Sequence, residues 1–321
     1  MQKFSYIDVA SSGEAIPLLG AGRAALAGGT DLLPLMKDGL AAPEALVNLK
    51  RADDLRGLRE DEDGLHIGAL TTLAELERSP LVRERYPALA ESAAQAASPQ
   101  LRAMATLGGN LLQQVRCWYY RSDAACWMKG GADCPARDGE NQYHAIWDQS
   151  PCVAVHPSDP PAALLALGAW LRIAGPAGER AIALADFLQP PAEDRRALHT
   201  LAADELIREV VLPPAAGPSV YIKAMDRAAW AYALVSVAAV ARVDGGRLYE
   251  PRIVLGGVAN TPWQPPELGA LLEGQPLDEG LIRRAGELAA QGAAPLAKNG
   301  YKVALVRNLV GEALRQLAGL A

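Results

Sequence analysis

The sequence predicts a mixed α/β protein of two domains, and three observations carry that expectation. At 321 residues the chain passes the length of roughly 250–300 residues at which single cores stop growing. Two strand-to-glycine turns in the first half each run into an apolar segment, the pattern of a strand giving way to a helix. Pro213-Pro214-Ala215-Ala216-Gly217-Pro218 is the strongest linker, and an alternating hairpin and an amphipathic helix lie beyond it. The expected division is 1–214, with 113–156 as an insert, and 218–321.

Half the residues are hydrophobic and the formal charge is −6. That charge argues against nucleic acid or an anionic membrane as the main partner. No apolar run approaches the ~20 residues of a membrane span. Met1-Gln2-Lys3-Phe4-Ser5-Tyr6 turns polar too early for a signal peptide. A cytoplasmic location is expected by default, with the periplasm open to a chain that another, signal-bearing protein carries across.

Phe4-Ser5-Tyr6 reads as a strand, and Ser11 with Glu14 as a capping box opening a helix over Ala15, Leu18 and Leu19. Gly20-Ala21-Gly22-Arg23-Ala24-Ala25 matches a dinucleotide fingerprint. That motif must open a full crossover helix, and Gly28-Gly29 interrupts too soon. Ala24–Ala27 is better read as a strand entering Gly28-Gly29, where ligand could touch bare backbone. Thr30 or Asp31 is expected to cap a helix over Leu32–Asp38, its N-terminus suited to a pyrophosphate. A tight turn without ligand explains a single such loop as well.

Leu46–Leu49 and Leu65–Ala69 read as strands, and Asp53–Asp63 as a charged surface between them. His66 alternates with apolar neighbours and is expected on a strand face. Thr72 caps a helix through Leu76, and another runs from about Tyr86 to Ala96. The second glycine turn is Thr106-Leu107-Gly108-Gly109-Asn110-Leu111. Its continuation, Pro157-Ser158-Asp159 and the apolar run Ala162–Ala169, follows about forty-five residues later. Asp159 reads as a ligand for a sugar-type hydroxyl, as a helix cap, or as both. Gly175–Gly178 is a hairpin tip. Val235–Val243 alternates as a strand and returns through Asp244-Gly245-Gly246 along Arg247–Val258. Val306, Leu309, Val310, Ala313, Leu314 and Leu317 mark the C-terminal helix.

Cys117, Cys126, Cys134 and Cys152 are the only cysteines, separated by eight, seven and seventeen residues. Structural zinc sites favour close C-x₂₋₄-C pairs, whereas a four-iron cluster tolerates looser spacing. Spacing alone leaves a cluster, a zinc ion, and unliganded thiols or disulfides all open. The insert also holds Trp118, Tyr119, Tyr120, Trp127, Tyr143 and Trp147, able to shield a cluster. Arg116, Arg121, Lys129 and Arg137 are candidates to offset its charge. His144 and His156 are alternative ligands that a full set of four cysteines makes unnecessary.

Leu26-Ala27-Gly28-Gly29-Thr30-Asp31-Leu32-Leu33, Ala105–Leu111, Ser158-Asp159 with Leu164–Ala169, Asp204–Ile207, Leu234–Ala238 and Gly256–Ala259 together resemble the FAD-binding subunit of molybdenum hydroxylases, the xanthine dehydrogenase family. The cysteine insert departs from most members. It resembles two branches with a [4Fe-4S] cluster in this subunit: bacterial periplasmic aldehyde oxidoreductase and 4-hydroxybenzoyl-CoA reductase. Gln100-Leu101-Arg102, Asn110–Gln113, Arg116-Cys117 and His156–Asp159 are closer to the aldehyde branch.

The resemblance implies a two-subdomain FAD-binding domain of the vanillyl-alcohol-oxidase-like type, then a smaller α+β domain like that of CO dehydrogenase flavoprotein. By position it implies that Leu26–Leu33 and Thr106–Asn110 hold the pyrophosphate and adjoining groups. Ser158-Asp159 would hold a polar part of FAD, Ile207 would pack on the isoalloxazine, and Lys223 would lie near its polar edge. The four cysteines would hold the cluster.

The implied function is electron transfer. A molybdenum-cofactor large subunit oxidises an aldehyde or heteroaromatic, a small subunit with two [2Fe-2S] clusters relays electrons, and FAD passes them to an external acceptor. No catalytic acid, base or nucleophile is then required of this chain. Reductive dehydroxylation of an aromatic CoA thioester is the alternative within the family. A zinc-stapled binding module without flavin is the alternative outside it, and the insert disfavours a stand-alone reductase of the UDP-N-acetylmuramate type.

Overall fold

A computed structural model describes residues 1–320. Three sheets follow one another along the chain. The first is parallel, with β1 (Ser5–Asp8), β2 (Arg23–Leu26) and β3 (Ala45–Asn48) in the order β1-β3-β2. Central β3 is buried at every residue, as expected of a strand covered on both faces. The first glycine turn leaves the carboxyl end of β2 and runs into the helix Leu32–Lys37, the end of a parallel strand where α/β proteins bind ligands.

The second sheet is antiparallel: β4 (Leu58–Asp61), β5 (Gly64–Gly68), β6 (Trp170–Gly175), β7 (Gly178–Ala183) and β8 (Leu206–Leu212), ordered β4-β5-β8-β6-β7. β4 lies inside the stretch expected to be mostly charged surface. Its side chains are mostly exposed, so no apolar alternation marks it. Helices Leu73–Arg78, Pro80–Arg85, Pro87–Ala94 and Pro160–Ala166 share the main core with this sheet. The Thr72 cap forms with Glu75 as a reciprocal capping box, whereas at Ser11 the Glu14 carboxylate reaches Ala10 N–H instead.

The third sheet, β11-β10-β9, is antiparallel and comprises β9 (Ser219–Ala224), β10 (Val235–Asp244) and β11 (Arg247–Gly256). Helices Glu279–Ala289 and Tyr301–Leu317 cover it and form a second core. Ile146 and Trp147 of the cysteine insert belong to this second core, and Trp147 stacks on Trp263 at 5.4 Å. Trp147 therefore anchors the insert to the C-terminal half and does not shield cysteines.

The insert contains one short helical turn, Trp127–Lys129. Its other backbone groups need partners, because burying unpaired amides and carbonyls is costly. Three fully buried side chains of the C-terminal half supply them. Asn260 Nδ2 donates to the carbonyls of Cys152 and Ala154, and Asn299 Nδ2 to those of His144 and Ala145. Lys302 Nζ donates to Tyr143 O at 2.9 Å and Gly257 O at 2.7 Å. Burial lowers the Lys302 ammonium to about 7.

Candidate functional site

The two glycine turns meet backbone to backbone. A Cβ on Gly28 would stand 1.8 Å from the carbonyl oxygen of Met104, just before the second turn. Gly29 has φ +74 and lets the chain turn into its helix. In the second turn Thr106 Oγ1 accepts from Gly109 N–H and caps the helix Leu107–Leu111. A Cβ on Gly108 would press on Ala69, whereas one on Gly109 meets only Thr106 Oγ1, at 3.0 Å. Gly28 and Gly108 are thus explained by packing. Gly109 is exposed and ordinary in backbone conformation, so packing leaves its missing side chain unexplained.

Gly109 faces a cavity of about 450 Å³ that is also lined by Ala27, Gly28, Gly29, Thr30 and Thr106. Leu26 and Leu33 pack in a small core behind it, and Leu107 is fully buried in the main core. Leu32 and Asp31 lie on the wall. Asp31 occupies the N-cap position without making a side-chain cap, contrary to expectation. Its carboxylate accepts from Gln114 N–H at 2.8 Å and pairs with Arg116 at 2.8 Å and Arg121 at 2.9 Å. Those two arginines therefore neutralise Asp31, and Lys129 donates to the carbonyl of Ser122. Of the four expected cluster counter-charges, Arg137 lies where Cys134 and Cys152 feel it.

Arg116 also lines a second cavity, of about 340 Å³, together with His144, His156, Ser158, Asp159 and Tyr232. Ser158 Oγ is hydrogen-bonded to Asn110 Oδ1, which ties the second glycine turn to this wall. Asp159 is buried and caps nothing. Tyr221 OH donates to its Oδ1 at 2.7 Å and Lys223 Nζ to its Oδ2 at 2.8 Å. Burial raises the Asp159 carboxyl, and Lys223 and Tyr221 oppose that rise. Each carboxylate oxygen keeps acceptor capacity for a hydroxyl in the cavity. The remaining Lys223 protons go to the carbonyls of Gln95 and Ala231, so Lys223 braces Asp159 and lines neither cavity. Ile207 is a buried core residue of β8, likewise on neither wall.

The residues fit a long phosphate-bearing cofactor. The first cavity offers bare backbone at Gly109, and the second offers the braced Asp159. Arg116 Nε, His144 Nδ1 and His156 Nε2 are buried atoms without protein partners, all on residues of the second cavity. Arg116, His144, His156 and Tyr232, and Gln114, Tyr120 and Arg196 beside the glycines, were not legible as cavity residues. They reach the site from loops with no periodicity.

Cys117, Cys126 and Cys152 share a small apolar cluster with Val115, Trp127, Met128 and Leu198. Cys134 is hydrogen-bonded to Cys152, which lowers the Cys134 thiol against the opposing effect of burial. Burial pushes the Cys117 thiol up to about 11, although backbone N–H donors at Tyr120 and Tyr119 oppose it. Backbone N–H groups also serve Cys134, from Val153 and Ala136, and Cys152, from Ala154. His144 Nε2 lies 3.1 Å from Cys117 Sγ. Among the described residues, no three cysteine sulfurs lie within 4.8 Å of one another.

The family described as the FAD binding domain in molybdopterin dehydrogenase matches residues 2–215. The chain belongs to this family. The CO dehydrogenase flavoprotein C-terminal domain matches residues 220–317. Across 98% of both chains, the sequence is 36% identical to the aldehyde oxidoreductase FAD-binding subunit PaoB of Escherichia coli K12. It is 30% identical to the carbon monoxide dehydrogenase medium chain of Afipia carboxidovorans, over 91% of this chain and 87% of that one. The structure superposes with TM-score 0.79 on a chain of carbon monoxide dehydrogenase from Hydrogenophaga pseudoflava, at 28% identity and covering 100% and 99% of the two chains. The protein is accordingly an FAD-binding oxidoreductase subunit of the molybdenum hydroxylase family, with the two-domain mixed α/β fold expected from the sequence. No helix among the described residues is long and apolar enough to cross a membrane.

Proposed function

We propose that this chain is the flavin- and [4Fe-4S]-carrying electron-transfer subunit of an aldehyde-oxidising molybdenum hydroxylase complex. Its partners would be a large subunit holding the molybdenum cofactor and a small subunit with two [2Fe-2S] clusters. The observation that carries the aldehyde reading is the full-length similarity to an aldehyde oxidoreductase FAD-binding subunit. FAD, when bound, supplies the exchange of electrons with an external acceptor. This chain's residues do the rest by position. Thr30, Thr106 and the backbone at Gly29 and Gly109 line the phosphate end, and Asp159, held by Tyr221 and Lys223, accepts from a hydroxyl. Arg116 brings positive charge to the second cavity.

Cys117, Cys126, Cys134 and Cys152 would hold the cluster. A tetrahedral zinc site places its sulfurs ~3.8 Å apart, from Zn–S bonds of ~2.3 Å. Among the described residues no three of these sulfurs stand that close together, although Cys134 is hydrogen-bonded to Cys152, so the cluster rests on the four cysteines of the insert and its resemblance. Backbone N–H groups reach Cys117, Cys134 and Cys152, where they could donate to the sulfurs of a bound cluster. Anaerobic purification with iron, acid-labile sulfide, zinc and FAD counted per chain tests the reading. About four irons are expected, with loss of iron in Cys134→Ser. One zinc without sulfide would overturn the cluster.

A further inference from the structure

We infer that His144 is a positioning residue for Cys117, donating a hydrogen bond from Nε2 to the ligating sulfur and so raising the reduction potential of the cluster. The inference rests on the cluster reading above. His144 is 3% exposed, and its Nε2 stands 3.1 Å from Cys117 Sγ. A metal-bound thiolate sulfur has no proton to give, so the shared proton belongs to Nε2. The ring then carries its lone pair on Nδ1, the nitrogen that has no protein partner.

The ring is held for this task from several sides. The His144 N–H donates to Asn141 O at 3.0 Å, and its carbonyl accepts from Asn299 Nδ2 at 3.1 Å. Trp118 meets the imidazole edge to face at 5.6 Å. Both residues belong to the insert: His144 is tied to the C-terminal half through Asn299, and Cys117 follows Arg116, which pairs with Asp31. Cys117 and His144 also both line the 340 Å³ cavity. The hydrogen bond therefore stands between the cysteine cluster and the flavin cavity. Donors to cluster sulfurs withdraw negative charge and stabilise the reduced state, which carries one electron more.

The test is a potentiometric titration of the whole complex with dithionite, following the reduced cluster by low-temperature EPR. His144→Leu removes the donor and should shift the cluster midpoint to lower potential while four irons per chain remain. His144→Gln places an amide N–H near the position of Nε2 and should restore the midpoint toward the wild-type value. An unchanged midpoint in His144→Leu would overturn the inference, as would loss of iron in both variants, which would make His144 a requirement of assembly. Wild-type complex without iron or sulfide would overturn the cluster reading and this inference with it. A wild-type cluster with an unmoved His144→Leu midpoint would sink the inference alone.

Discussion

Gly28 and Gly109 are predicted to fail in opposite ways when substituted. At Gly28 a methyl group would collide with a carbonyl oxygen at 1.8 Å and its carbon at 2.7 Å, both backbone atoms. Overpacking of this kind costs about 3 kcal/mol or more. For a domain of this size that lowers Tm by about 6–12 °C. At Gly109 the only contact is Thr106 Oγ1 at 3.0 Å. Disturbing that cap costs about 1 kcal/mol, and replacing a helical glycine by alanine returns ~0.5–1 kcal/mol. Apoprotein stability of Gly109→Ala should therefore stay within about 1 kcal/mol of wild type. FAD affinity should behave differently, because Gly109 lines the cavity. A loss of about 1.4 kcal/mol would weaken FAD tenfold, and Gly109→Val should lose more. The assay pairs thermal denaturation of the apoproteins with FAD titration by flavin fluorescence. Wild-type FAD affinity in Gly109→Val would refute the cradle. So would an apoprotein Tm in Gly109→Ala as low as that of Gly28→Ala, since packing would then explain both glycines.

Lys223→Met should destabilise the protein by about 3–5 kcal/mol, because it strands the buried Asp159 carboxylate. Adding Asp159→Asn should recover part of that loss in urea denaturation, and simple additivity of the two substitutions would contradict the buried pair. His199 is held neutral, lowered to about 4 by burial first and by Arg195 second, and its Nδ1 accepts from Leu201 N–H. The unfolded chain takes up this proton near the ordinary value of about 6.5, so stability should fall as pH drops from about 6.5 to about 4. His199→Phe should remove up to about 3 kcal/mol of that fall; an unchanged pH profile by chemical denaturation would count against it. The purified single chain should carry FAD yet not oxidise aldehydes with an artificial acceptor, and turnover by that chain alone would contradict the need for a partner.

Local signals were the legible ones. The Thr72 cap, the Gly175–Gly178 tip, the β10–β11 hairpin and the C-terminal helix each rest on residues close in sequence. β4 was not legible because only Leu58 packs against the core, while Arg59 and Asp61 engage His66 and Glu209. His66 does sit on a strand, with both ring nitrogens bonded to carboxylates. The Gly20–Ala25 motif misleads because Gly20 and Gly22 precede β2, whereas a phosphate loop follows its strand. Asp31 was misread as a cap because its partners, Arg116 and Arg121, lie far along the chain. An unpartnered acid after a glycine turn invites the local explanation, and only the fold supplies the distant one.

The same pairing changes what the cysteine insert does. As a sequence it is an interruption of the second glycine turn. In the fold its first residues fasten Asp31, and its Trp118, Tyr143 and His144 form a wall of the second cavity. Its far end is stitched to the C-terminal half through Asn260, Asn299 and Lys302. A segment with one helical turn has few backbone bonds of its own, so these outside partners hold its shape. Whatever orders the four thiols therefore orders this wall of the second cavity as well. The insert joins the glycine turns to the C-terminal half because each of its ends is satisfied by a different part of the chain.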